Sequence, residues 1–173
     1  MSEAALRVFA NPPRDYDYIN NALLCLALTR NIVQLSFGMT YDDFYSIIVN
    51  ERVERDENNQ PAYPIARDAE RSMRHKWAVN FGDPEPGEVM FNYDAYPNKF
   101  GIKEGHVWAY IGVLPFQSNG TWALRRVVVE SARPEWRRKD GSYLANNGCI
   151  VLSDLDKIKK ITTRIRLPKE IQG

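Results

Sequence analysis

The spacing of hydrophobic positions changes character partway along this chain. Up to about residue 82 the apolar residues recur every three or four positions. Beyond it they alternate with polar ones. The stretch "DYDYINNALLCLALTRNIVQLSF" offers Asp15 or Asp17 as a helix N-cap. Ile19, Leu23, Leu26 and Arg30 then trace one stripe, which Leu24, Leu28 and Leu35 widen. A helix this apolar is predicted to be buried on most sides or to meet a partner. A second helix is predicted to start at Thr40, with Asp43 at the third position as a capping box and Phe44, Ile47, Ile48 and Val53 facing inward. "NNQPAYP" breaks the chain, and a third helix follows with Pro64 at its first position and Ile65, Ala69, Met73, Trp77 and Phe81 in step.

The rest reads as strands. "EVMFNY" is a short first strand, and "HVWAYIGVLPF" and "TWALRRVVVES" are rich in aromatic and β-branched residues. Between the last two lies "QSNG", whose Asn-Gly pair is a hairpin signal. "SARPEWRRKDGS" reads as a polar loop with a tight turn at Asp140-Gly141. "GCIVLS" makes a fourth strand, and "DLDKIKK" a turn of helix. In "KKITTRIRLPK", Ile161, Thr163, Ile165 and Leu167 fall on one face and Lys160, Thr162, Arg164 and Arg166 on the other, which predicts a final strand with a cationic side. About three helices followed by about five hairpin-linked strands imply an α+β fold with a mostly antiparallel sheet. A single domain spanning 1–173 is expected, with a helical part at about 1–82 and a β part at about 83–173.

Composition narrows the class. A hydrophobic content of 44% with 12% aromatics is enough for a packed core and argues against disorder. No window approaches the length of a membrane span, and the N-terminal residues lack the basic and apolar regions of a secretory signal. Cys25, in its apolar helical run, reads as a buried free thiol; with Cys149 far away, the chain reads as intracellular, in a host cell or virion if it is viral, and without a disulfide framework. Charge is uneven. Residues 1–100 carry ten Lys and Arg against fifteen Asp and Glu, while residues 101–173 carry thirteen against seven. Such asymmetry suits an acidic partner or head-to-tail self-association.

Several chemistries are excluded by motif. Gly82 and Gly87 have the spacing of a phosphate loop, but Glu88 and Val89 stand where Lys and Ser or Thr are needed. There is no nucleophile elbow and no Cys-x-x-Cys, and two Cys with two His are too few for an ordinary zinc site. No cofactor and no metal are expected. Asp94, Glu104 and His106 are the weak catalytic candidates, since carboxylates beside a histidine suit a metal-dependent hydrolase or nuclease. His75, Asp42 with Asp43, and the loop acids Asp83, Glu85 and Glu88 read as exposed or capping residues. Asn119-Gly120-Thr121 is a formal glycosylation sequon that reads here as turn chemistry.

The strongest positive signal is basic and aromatic. Arg133, Arg137, Arg138 and Lys139 surround Trp136, Arg125 lies in the preceding strand, and Lys160, Arg164 and Arg166 add the cationic face. Guanidinium groups for phosphates and a ring for a base are the chemistry of nucleic-acid contact. The expected role is therefore a non-enzymatic interaction protein that binds nucleic acid, RNA included, or another polyanion. The competing reading is a structural, self-assembling protein, such as a viral or phage component, whose basic half meets the acidic half of another copy.

Overall fold

The computed structural model describes residues 1–49, 66–95, 101, 103 and 105–167. Four helices of seven or more residues and a six-stranded antiparallel sheet make up an α+β fold, with the helices mostly N-terminal and the sheet C-terminal. Helix α1 spans Ser2–Ala10, α2 Cys25–Phe37 and α3 Tyr41–Asp43, which runs on as a π-helix over Phe44–Val49; α4 spans Ala66–Lys76. Strands β1 (Val89–Asn92), β2 (His106–Ser118) and β3 (Thr121–Ser131) follow, then helix α5 (Pro134–Asp140) and strands β4 (Tyr143–Asn147), β5 (Ile150–Asp154) and β6 (Thr163–Ile165). The order across the sheet is β4-β5-β3-β2-β1-β6.

Alternation assigns two faces. Val89, Phe91, Val107, Ala109, Ile111, Val127, Val129, Ile150, Leu152 and Ile165 point to the helices and meet Ala5 and Val8 of α1, Leu28, Ile32 and Val33 of α2, and Ala69 and Met73 of α4. On the opposite face Met90, Trp108, Tyr110 and Val128 are covered by Leu155, with Ile158 and Ile161 beside them. Residues 155–161, a 3-10 turn and a crossing segment, thus roof one end of the sheet. The expected final strand shortens to Thr163–Ile165, because Ile161 is used in this roof.

The long apolar helix expected from Asp15 or Asp17 begins only at Cys25. Side chains before it compete for the backbone: Asp17 Oδ1 accepts from the Asn20 amide at 3.1 Å, and Asn21 Oδ1 from the Leu23 amide at 2.9 Å. Leu23 is consequently exposed rather than part of a buried stripe. Arg30, on that stripe, is 2% exposed; its guanidinium pairs with Asp15 at 3.0 Å and lies over the Tyr16 and Tyr41 rings. The capping box at Thr40 and Asp43 forms, with Phe44 buried, whereas the predicted start at Pro64 and the inward-facing Val53 lie outside the described residues.

Two elements depart from expectation. The polar "RPEWRRKD" loop is helix α5, with Pro134 in its first turn and Gly141 left-handed at its end. Strand β4 carries Asn146 and Asn147, residues of low strand propensity, and is held by pairing with β5. The Asn119-Gly120 turn joins β2 to β3 with φ positive at both residues, as a tight hairpin requires.

At the β4–β5 turn, Gly148 sits against the segment that leads into α2. A Cβ there would lie 2.5 Å from Ile19 Cα and 2.8 Å from its carbonyl oxygen, at a φ of +57°. Gly148→Ala is therefore expected to cost about 2 kcal/mol or more in chemical denaturation; a change within about 0.5 kcal/mol would show that this close packing is not needed.

Candidate active site

The N-terminal end of β2 and the C-terminal end of β3 lie side by side in the sheet. Here His106 and Glu130, both on the face away from α1 and α2, are 2% and 1% exposed. His106 Nε2 and Glu130 Oε2 are 2.6 Å apart. The same oxygen accepts from Arg137 of α5 at 2.6 Å, and Glu130 Oε1 accepts from Ser153 Oγ at 2.7 Å. Trp108 stands edge-on to the His106 ring at 4.4 Å between centroids, and the Arg137 guanidinium lies over its indole. Arg137 is fixed at its other end by Asp140 at 2.6 Å, and Asp140 in turn accepts from Ser142 Oγ. Four elements thus converge on one buried carboxylate.

The third member comes from α2. The segment before it is pinned to the same end of the sheet: the Cys149 amide donates to Tyr18 O at 3.0 Å, and Ser131 Oγ to Asn21 O at 3.4 Å. This fixes the segment that leads into Cys25, the first residue of α2. Burial disfavours a charged His106 ring. It is overcome by the Cys25 thiol, which acts as a negative charge and as a hydrogen-bond partner, and by Glu130 beyond it, so the pKa is pushed up to about 9. Burial likewise disfavours ionised Glu130, but His106, Arg137 and Ser153 hold its carboxyl below the usual range.

Cys25 is half-buried, in contrast to the buried free thiol expected, while Cys149 is buried, and burial pushes its thiol pKa up. The helix end at Cys25 is uncapped by any side chain of Leu24, and the intrahelical ladder starts with the Leu28 amide bonded to Leu24 O. The first-turn amides of α2 therefore have no acceptor within the helix. A thiol, an imidazole with its second nitrogen on a carboxylate, and amides at a helix N-terminus are the parts that nucleophilic acyl chemistry uses.

Of the residues singled out from sequence, Asp94, His106, Arg137, Lys139 and Lys160 line one cleft, and the others are dispersed. Asp94 pairs with Lys103 at 2.7 Å, Glu104 lies outside the described residues, and among the described residues no group of three or more His, Cys, Asp or Glu is placed to hold a metal. His106 is at the site, with Glu130 as its carboxylate. Arg125 pairs with Asp154 at 3.4 Å, Arg166 with Glu85 at 2.9 Å, and Arg164 donates to the Gly82 carbonyl. Arg133 lies over Trp136, itself 37% exposed, and Arg138 over Tyr143. Arg137 is buried in the Glu130 cluster. Of the basic candidates, Lys139 and Lys160 come together with Arg137 in the cleft that His106 lines, and Lys157 and Lys159 line it too. Cys25, Glu130 and Ser153 escaped sequence reasoning. Their only signal was negative, a Glu on the alternating face of an otherwise apolar strand end.

Among the described residues no helix is long and apolar enough to cross a membrane. No protein-family model, no curated protein and no solved structure matches the chain.

The pair dictates a pH response. The folded pKa of His106 lies above its ordinary 6.5, so its stabilising contribution is complete below pH 6.5 and is lost as pH rises through about 9. Calorimetry from pH 6 to 10 should show the melting temperature falling across that window in the wild type and a flatter profile in His106→Gln; equal slopes would refute the assignment. Removing the carboxylate charge in Glu130→Gln takes the buried counter-charge from His106 and Arg137 and should cost about 3 kcal/mol.

Proposed function

We propose that this protein is a cysteine-dependent acyl hydrolase or acyl transferase, with Cys25 as nucleophile, His106 as its acid–base partner and Glu130 as the group that orients the ring. The observation that carries this reading is the buried His106–Glu130 pair at 2.6 Å, a ring that the Cys25 thiol helps to keep protonated. An enzymatic role thereby takes precedence over the non-enzymatic one that composition suggested.

Each group has a step. The His106 imidazolium is held by Glu130 on one side and by the Cys25 sulfur on the other, which places an acid–base group at the nucleophile. Cys25 Sγ attacks an acyl carbon, and the oxygen that gains charge is met by the amides of the first turn of α2. His106 passes its proton to the leaving amine or alcohol, which yields a thioester on Cys25. It then takes a proton from water, or from an acceptor nucleophile, as that species attacks the thioester and frees the thiol. Arg137 and Ser153 act through Glu130: they keep it ionised and hold its oxygens in place, and so fix the tilt of the ring.

Cys149 supplies an internal control. Iodoacetamide should alkylate Cys25 far faster than Cys149, and His106→Ala should slow that alkylation at neutral pH by about 100-fold or more, the lower end of what a positioned base contributes. Ester and amide turnover, tracked with nitrophenyl esters and peptide amides, should disappear in Cys25→Ala. Equal labelling of the two cysteines, or turnover that survives Cys25→Ala, would remove this reading.

A further inference from the structure

The face of the sheet opposite α1 and α2 holds a second feature, which shares His106 and Arg137 with the site above but does not include Cys25. Between the roof at residues 157–162, the C-terminal end of α5 and the end of β1 lies an open cleft of about 960 Å³. That is the size range of small-molecule sites. Lys139 enters it from α5, and Lys157, Lys159 and Lys160 enter it from the roof. These four side chains belong to two separate segments of chain, which the fold brings to one rim.

Two acids line the same cleft, and both are engaged. Asp94 is held by Lys103 at 2.7 Å, and Asp140 accepts from Arg137 at 2.6 Å and from the backbone amide of Ser142 at 2.9 Å. Trp108 also lines the cleft and is 2% exposed, yet its indole Nε1 has no hydrogen-bond partner among the described residues. A buried N–H without an acceptor costs about 1–3 kcal/mol, which a ligand oxygen would recover. Lysines act as mobile point charges and suit clustered phosphate oxygens without demanding a fixed planar geometry.

We propose that this cleft binds a chain of phosphates, with Lys139, Lys157, Lys159 and Lys160 as its counter-charges and the Trp108 indole as a donor in its lining. The same chemistry is presented by a free oligophosphate and by the backbone of a single-stranded nucleic acid.

Titration calorimetry at low salt with tripolyphosphate and with a short single-stranded oligonucleotide tests it. Binding should weaken with salt, with a log–log slope of about −3 for four engaged lysines. Lys157→Glu/Lys160→Glu should weaken binding by about 100-fold or more, at roughly tenfold per charge-assisted contact. Arg138→Glu, whose guanidinium lies over Tyr143 outside the cleft, should bind as the wild type does. Filling of the cleft by a ligand oxygen should also shift the Trp108 indole N–H resonance. Preference for tripolyphosphate identifies a free ligand, and preference for the oligonucleotide identifies a strand backbone. Absence of binding by both probes at low salt would overturn the proposal, as would equal losses in the cleft variant and in Arg138→Glu, or an unmoved Trp108 resonance at saturation. Because Cys25 takes no part, thiol reactivity is unaffected by failure of this test and reports separately on the acyl chemistry.

Discussion

One buried carboxylate organises this molecule. A charged group with almost no solvent contact survives only if donors replace the water it has lost. Glu130 receives them from His106 on β2, Arg137 on α5 and Ser153 on β5. Each donor comes from a different element, so satisfying one side chain sets the relation of two strands and a helix on the sheet face that α1 and α2 do not cover. The arrangement costs flexibility: withdrawing any donor leaves charge stranded in an apolar setting. That rigidity is what a general base needs, because an imidazole whose second nitrogen is clamped can present the first at one angle only.

The other half of the site depends on a different constraint. Asp17 and Asn21 fold the chain into side-chain-capped turns ahead of α2. Without those turns the apolar run would extend toward the N-terminus, and Cys25 would sit inside a helix with its amide bonded. Instead the helix starts at the thiol, and the segment ahead of it is held by the close packing of Ile19 on Gly148 and by the Tyr18–Cys149 bond. Small local preferences for turn over helix thus decide where Cys25 stands.

Much of the fold was legible in the chain. The switch from helical to alternating periodicity separates the helices from the sheet, and the Asn119-Gly120 turn and the Thr40–Asp43 capping box are readable as written. Helix α5 was hidden because Arg and Lys crowd its exposed positions, yet Pro134 and Gly141 mark its ends in retrospect. The site was less legible, because its members lie at positions 25, 106 and 130 and no short-range spacing links them. The arginines that looked available for phosphates mostly meet partners of the protein's own: Arg125 and Arg166 meet acids, and Arg137 serves the Glu130 cluster. A count of basic residues cannot show which of them the fold has already used.

The central claim is that the Cys25 thiol acts on the His106 ring. Nuclear magnetic resonance titration of the His106 ring in the wild type and in Cys25→Ser tests this most directly. The account predicts a wild-type pKa near 9 that drops clearly when the thiol is replaced, with Glu130 and Arg137 still in place. A ring that titrates identically in both proteins would contradict it, since the thiol would then have no hold on the imidazole.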